Sequence, residues 1–267
     1  MPFTDIHSHI LPGFDDGAAD EDEFLRMARA AVRGGTARMV ATPHYDLDGP
    51  DLELEDVTAS LGRHLELLRN EGIPLELVYG VEVRINTGLY HLAREDGDLS
   101  RLSLGGFGKF ILADLPLIDM PTATADILFQ VQLSGYTPIL AHPERNRYLS
   151  TRPQTVRELV ERGVEIQVNS GSLEGLYGKQ ARRSAQALLR EGVARLVASD
   201  AHSPGTRSTD LSSAARIIRA QLGDEPSRIL LEVNPERALA GEGLVEITNR
   251  APRPAGRSRL FKRRNPA

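Results

Sequence analysis

A chain of 267 residues, 40% hydrophobic and 26% charged, suits one large globular domain, the size at which α/β barrels commonly close. It has no cysteine, which excludes a disulfide framework, a thiolate metal site and every mechanism that needs a cysteine nucleophile. The net charge of −5 is uneven: Arg250, Arg253, Arg257, Arg259, Lys262, Arg263 and Arg264 crowd residues 250–267, leaving 25 basic against 37 acidic groups elsewhere, and so acidic a body argues against nucleic acid as a partner.

The first predicted element is a strand at residues 3–9. A helix follows at 20–33, with Asp20 as N-cap, apolar Phe24, Met27, Ala28, Ala31 and Val32 at helical spacing, and Gly34-Gly35 as its stop. Next come a strand at 38–42 closed by Pro43, a helix at 54–70 with a Leu61, Leu65, Leu68 stripe, and strands at 75–83 and 107–115. Gly105-Gly106-Phe107-Gly108 precedes the latter and reads as a turn, not a phosphate loop. Helices at 122–134, 154–162 and 178–190 each end at a glycine and alternate with strands at 137–142, 164–169 and 194–200. A helix at 211–222 and another beginning at 226 complete the series. About seven β/α units predict a parallel sheet buried on both faces. Closure into a barrel is favoured over an open sheet because polar residues fit for chemistry end nearly every strand, and barrels collect chemistry at that rim.

No apolar run reaches the ~18 residues of a membrane span. The opening Met-Pro-Phe-Thr-Asp lacks the pattern of a secretory signal. Absence of cysteine fits a reducing cytoplasm. The expected organisation is a barrel over 1–249 and a basic, proline-containing, disordered tail over 250–267.

Five of the seven histidines lie at ends of apolar segments, each near a carboxylate or another histidine. His7 and His9, two residues apart on a strand, face one side and reach one ion. Of the loop acids Asp15 and Asp16, Asp16 is favoured to face the site and Asp15 comes second. His44 ends the second strand. Glu82 ends Tyr-Gly-Val-Glu, and an uncompensated buried carboxylate is costly, so a metal partner is expected; a pair with Arg84 is the alternative. Asp114 ends Phe-Ile-Leu-Ala-Asp, His142 ends Ile-Leu-Ala-His, and Asp200 and His202 close Val-Ala-Ser-Asp-Ala-His. Nine candidate ligands exceed the four of a single zinc and point to two or three ions. Nitrogen and oxygen donors suit manganese, iron or zinc. Such a centre attracts an anion, and Arg145 and Arg207, on rim loops, suit a bidentate phosphate clamp. Arg147 is a weaker third, and Asn169 and Ser170 are rim hydrogen-bonding candidates. His64, His91, Tyr45 and Tyr148 read as packing or surface residues.

Asp5-Ile-His-Ser-His-Ile-Leu-Pro-Gly-Phe-Asp-Asp-Gly, Ala-Thr-Pro-His-Tyr, Gly-Val-Glu-Val, Ala-His-Pro-Glu-Arg, Gln-Val-Asn-Ser and Ala-Ser-Asp-Ala-His together resemble the polymerase and histidinol phosphatase (PHP) superfamily, and within it the bacterial CpsB/YwqE-type tyrosine-protein phosphatases. The resemblance covers roughly residues 4–240. It implies a distorted, TIM-like (β/α)7 barrel of the PHP type with a trinuclear, usually manganese-dependent centre. The family's ligands would fall on His7, His9, Asp16, His44, Glu82, Asp114, His142, Asp200 and His202, and its phosphate-binding arginines on Arg145 and Arg207. The family usually has glutamate at Asp114; the shorter aspartate implies that the ion there sits differently or binds less tightly. The expected reaction is hydrolysis of a phosphomonoester, phosphotyrosine on a protein, by a metal-bridging hydroxide. The expected partner is a tyrosine autokinase linked to exopolysaccharide export. The rival readings are a histidinol-phosphate phosphatase, an amidohydrolase-type metallo-barrel, which would usually need a metal-bridging lysine that no strand end here carries, and a noncatalytic module whose basic tail holds an acidic partner or a membrane surface.

Overall fold

The alternation read from the sequence becomes parallel sheets with helices connecting their strands. The computed structural model describes residues 2–49, 52–95, 97–106 and 108–247; the boundary at 249 and the basic tail at 250–267 lie outside the described residues. The order begins β1 (Phe3–Ser8), α1 (Glu21–Arg33), β2 (Thr36–Ala41), β3 (His44–Tyr45), α2 (Leu54–Asn70), β4 (Glu76–Tyr79), β5 (Glu82–Arg84) and α3 (Thr87–Glu95). It continues β6 (Phe110–Asp114), α4 (Thr124–Leu133), β7 (Thr137–Ala141), α5 (Pro153–Glu161), β8 (Glu165–Asn169), α6 (Ser170–Glu174) and α7 (Gly178–Arg190). It ends β9 (Leu196–Ala198), α8 (Ser212–Leu222), α9 (Asp224–Arg228), a π-helical turn at Ile229–Val233 and α10 (Asn234–Leu239).

The helices form for the reasons their sequences give. Asp20 caps α1, its Oδ1 accepting from the Glu23 backbone N–H at 2.8 Å. Phe24, Met27, Ala28 and Ala31 bury one face of α1. Gly135 and Gly163 follow α4 and α5 with φ of 90° and 88°, a left-handed step that closes a helix without a Cβ clash.

Every strand ladder is parallel. One sheet has the order β1-β2-β4 and the other β3-β5-β6-β7-β8-β9. The predicted strand over 75–83 is two strands, β4 and β5, interrupted at Gly80-Val81. A Cβ at Gly80 would lie 2.7 Å from Val40 Cγ1 on the neighbouring strand, so glycine permits the close approach at which the chain changes sheets. β2 and β3 are broken in the same way, before His44, and the partners keep step: β2 pairs β4 while β3 pairs β5. On the far side, a single bridge joins Ser8 to Ala201. There the His9 backbone N–H donates to Ala201 O at 2.8 Å, and that of Asp200 to His7 O at 2.9 Å. One buried cluster takes Ile6 from β1, Val40 from β2, Leu112 from β6, Ile139 from β7 and Leu196 from β9, so both sheets share an interior.

Two further elements depart from expectation. The strand predicted over 194–200 shortens to β9, because Ser199 and Asp200 turn the chain into the site, Asp200 with a φ of 51°. Helix α3 was absent from the prediction; it buries Leu89 and Ala93 at i and i+4, and the Asn86 side chain accepts from the Leu89 N–H at 3.0 Å as its cap.

Candidate metal centre

The nine side chains named above come from seven separate segments and converge on one point. Glu82, at the start of β5 and 1% exposed, lies at its middle. Its Oε1 is 3.3 Å from His7 Nε2 and 3.1 Å from His142 Nε2. Its Oε2 is 3.4 Å from His9 Nε2 and 2.7 Å from His44 Nδ1. Asp200 Oδ1 stands 3.6 Å from His7 Nε2 and 3.5 Å from His9 Nε2. Asp16 Oδ1 is 3.2 Å from His202 Nε2 and 3.5 Å from His44 Nε2. Asp114 Oδ1 is 3.9 Å from His142 Nε2.

These atoms divide into four overlapping groups with ligand atoms within 4.8 Å of one another: His9, Asp16, His44 and His202; His7, Glu82 and His142; His7, His9 and Asp200; His44, Glu82 and Asp114. Together they use all nine residues. The local chemistry fits cations. Glu82 Oε2 is buried with imidazole nitrogens as its neighbours, His44 Nδ1 at 2.7 Å and His9 Nε2 at 3.4 Å, and a buried carboxylate oxygen is costly unless positive charge faces it. The Nε2 atoms of His7 and His9 approach to 3.2 Å. Their outer nitrogens have fixed partners: His7 Nδ1 is 3.1 Å from Gln167 Oε1, His9 Nδ1 is 2.6 Å from Asp15 Oδ2, and His202 Nδ1 is 3.0 Å from the Asp200 carbonyl. An acceptor at Nδ1 holds the proton there and leaves the Nε2 lone pair aimed inward, as ligating histidines are arranged.

Two of the nine hold strained backbone. Among the described residues, His142 and Asp200 are the non-glycine positions with positive φ, at 34° and 51°. Such conformations cost about 1–3 kcal/mol each and persist only where surrounding structure enforces them. Here the His142 N–H donates to Gln167 O at 2.9 Å, which fixes the turn into the site.

Arg145 and Arg207 stand at the mouth. Arg145 Nη1 donates to Asp200 Oδ2, and its guanidinium stacks over Tyr177 at 4.1 Å. Arg207 Nη2 donates to Asp200 Oδ1 at 2.9 Å and approaches Asp16 at 3.8 Å. Both arginines line a cavity of about 500 Å3 shared with His44, Asp114, His142 and Asp200, a size in the usual range for small-ligand sites.

A family model for "Capsular polysaccharide synthesis, CpsB/CapC" matches residues 3–240. The chain belongs to the CpsB/CapC family. Tyrosine-protein phosphatase YwqE of Bacillus subtilis (strain 168) is 36% identical over 259 residues, covering 96% of this chain and 98% of that protein. Tyrosine-protein phosphatase CpsB of Streptococcus agalactiae serotype V is 29% identical over 246 residues, covering 88% of this chain and 97% of the other. A chain from the crystal structures of YwqE from Bacillus subtilis and CpsB from Streptococcus pneumoniae, unique metal-dependent tyrosine phosphatases, superposes with a TM-score of 0.83 at 35% identity, over 91% of this chain and 96% of that one. The resemblance read from the motifs is borne out.

Around the nine, this CpsB/CapC member carries residues that sequence reasoning passed over or ranked second. Asp15 binds the outer nitrogen of His9 and also accepts from the backbone N–H of His44 at 3.1 Å and of Gly17 at 2.9 Å. Adjacent acids in a loop gave no signal to divide these roles between Asp15 and Asp16. Asn169 donates to Asp200 at 2.6 Å and accepts from Gln167 at 2.8 Å. Arg84 pairs with Asp114 at 2.6 Å, not with Glu82. Asp5, fully buried, accepts from the Ser199 N–H at 3.0 Å and ties β1 to β9; burial raises its pKa to about 6. A carboxylate between Thr4 and Ile6 within the first predicted strand was its available signal. His64 packs on Phe24 with Nδ1 2.8 Å from Ser60 O, and His91 pairs with Glu95 on the surface, both apart from the site. Tyr148 stacks under Arg152 at 4.0 Å.

Without a cation the centre balances its carboxylates with protons. Burial opposes a charge on His142, but the Glu82 hydrogen bond and the nearby acids outweigh it and lift its pKa to about 9. Burial likewise opposes a charge on His9, and Asp15, Asp200 and Glu82 raise it well above 6.5. For Glu82 and Asp200, burial pushes upward while His7 and the other histidines hold both well below the usual carboxylate range. His202 is held neutral, down to about 3, by burial and by His9. Metal ligands must be deprotonated, so cation uptake near pH 7.5 should release about one to two protons per chain. The sign for stability follows. The His142 pKa is raised on folding, so its contribution is full below 6.5 and vanishes as pH rises through about 9. The melting temperature of the metal-free chain should fall across that window, and saturating metal should flatten the fall. Calorimetric uptake in buffers of different ionisation enthalpy checks the first expectation and thermal scans the second. Uptake without proton release contradicts both.

Proposed function

We propose that this chain is a metal-dependent phosphomonoesterase that removes phosphate from phosphotyrosine on a protein. One observation carries the reading: five histidines and four carboxylates meet around Glu82 beneath two arginines at a cavity mouth. The relatives named tyrosine-protein phosphatases, at up to 36% identity over nearly the whole chain, support the same activity.

We assign His7, His9, Asp16, His44, Glu82, Asp114, His142, Asp200 and His202 as ligands of two or three ions. Manganese is the preferred metal, since carboxylates and imidazoles without thiolate suit it; iron and zinc use the same donors. When bound, such ions supply Lewis acidity toward phosphoryl oxygens and lower the pKa of water toward neutrality. The chain's own groups do the rest. Arg145 and Arg207 bind the phosphate and stabilise charge on its equatorial oxygens. Tyr177 and Asp200 keep the Arg145 fork oriented before substrate arrives. Asp15 and Gln167 hold the His9 and His7 rings in one tautomer. With no cysteine in the chain, no thiol phosphoenzyme forms.

The same reading takes the two sheets as one distorted, seven-stranded barrel of the PHP type. β2 with β3 and β4 with β5 then count as single interrupted strands, and the Ser8–Ala201 bridge closes the ring. The shared interior of Ile6, Val40, Leu112, Ile139 and Leu196 supports it. The site then occupies the C-terminal rim. A tyrosine autokinase, or its substrates in capsule or exopolysaccharide production, is the proposed protein partner, which the family's capsular polysaccharide description supports. No helix of the described residues is long and apolar enough to cross a membrane; a cytoplasmic place is part of the proposal.

The test compares turnover of a phosphotyrosine peptide and of histidinol phosphate by the manganese-loaded chain. The proposal expects kcat/KM to favour the peptide by at least about tenfold. A preference for histidinol phosphate contradicts it.

A further inference from the structure

We propose that Leu117 and Ile118 form a fixed apolar platform that receives the phenyl ring of the substrate and so selects aryl over alkyl phosphates. The proposal rests on the phosphatase reading of the same cavity. Leu117 is 47% exposed and Ile118 72% exposed. A lone exposed leucine needs no explanation, but adjacent large apolar residues at the mouth of a charged cavity do. Both line the 500 Å3 cavity that holds His142, Arg145 and Arg207, so an ester seated on the arginines has apolar surface within the same cavity.

Their exposure is built in. They sit in the loop between β6, which ends at Asp114, and α4. The Asn146 amide, 3% exposed, donates to Pro116 O and to Asp119 O, both at 2.7 Å. The Arg147 backbone N–H donates to Leu117 O at 2.7 Å. Three carbonyls of the loop are therefore held by the two residues that follow Arg145. Leu115, two positions earlier, is buried at 3% exposure, so the loop has an apolar anchor and still presents its next large side chains outward. A backbone pinned at three points presents those side chains with no backbone ordering left to do on binding. It also couples platform and phosphate clamp through one segment, residues 145–147.

The occupant is the phenyl ring. In an aryl phosphate the ring is joined to phosphorus through one oxygen, so it must lie beside the bound phosphate. A flat, apolar ring gains from covering Leu and Ile side chains. A small alkyl chain covers less.

Phenylphosphonate and methylphosphonate, which resist hydrolysis, test this by calorimetry on the metal-loaded full chain. Wild type should bind phenylphosphonate at least about tenfold tighter, the factor expected from burying one ring against apolar side chains. The double variant Leu117→Ser/Ile118→Ser should reduce that ratio to within about threefold, and Leu117→Met/Ile118→Met should keep it. The platform is overturned if wild type binds both compounds alike or neither, or if the serine variant keeps the wild-type ratio. A failure of the phosphatase reading shows differently: a chain that prefers phenylphosphonate yet leaves phosphotyrosine peptide intact.

Discussion

Glu82→Gln should lower kcat by roughly a thousandfold or more and reduce the number of ions the chain retains, the size expected when several kcal/mol of metal-centred charge stabilisation is lost. The substitution keeps the shape of the side chain and removes only its charge. Four imidazoles lie within 3.4 Å of its two oxygens, so no other residue touches as much of the centre. The variant should also melt differently without metal. The raised pKa of His142 depends first on winning against burial, and Glu82 is the largest of the groups that win. With glutamine there, His142 should lose its proton at lower pH, and the decline in stability above 6.5 should shrink. Kinetics, metal analysis and thermal scans on one preparation check all three results. Activity within about threefold of wild type would place the chemistry elsewhere.

Arg145→Ala and Arg207→Ala should each cost about 10²–10³ in kcat, the usual loss when one preorganised donor to developing charge is removed. Metal content should stay near that of wild type, because neither guanidinium is a ligand. That contrast separates phosphate clamping from damage to the metal site. Lysine should restore only part of the loss at either position, since a point charge cannot reproduce a planar fork. Arg145 is the stricter case: its guanidinium is stacked on Tyr177 as well as bonded to Asp200, and lysine forfeits the stacking. If both alanine variants lost metal in proportion to activity, the arginines would be acting through Asp200 and not on phosphate.

The parts of the fold that local sequence dictates were legible. Helix α1 announced itself through the Asp20 cap, the Phe24–Met27–Ala31 stripe and the glycines behind it. The breaks in the second and third sheet positions were not, because the interruption at Gly80 depends on how near Val40 comes, a distance between segments forty residues apart. Helix α3 hid for the opposite reason: nine residues with Leu89 and Ala93 on one face give too short a period to stand out. For the site, residue type and strand-end position singled out eight of the nine converging side chains, and the ninth, Asp16, was favoured over Asp15 as a loop acid. Partners did not follow from type. Gln167 reads as a polar residue in a strand until His7, 160 positions away, is seen beside it. Asp15 and Asp16 are chemically identical neighbours, and only the path of the loop gives one the outer nitrogen of His9 and the other the inner nitrogen of His202.

The dependence of hydrolysis on cations held by this cage is the central expectation. It is tested most directly by stripping the full chain with a chelator and returning Mn2+ in steps, counting bound ions and phosphate released from a phosphotyrosine peptide in the same samples. The account predicts negligible turnover when stripped, and recovery that tracks the filling of two or three sites per chain. Full turnover from a chain stripped of metal would contradict it.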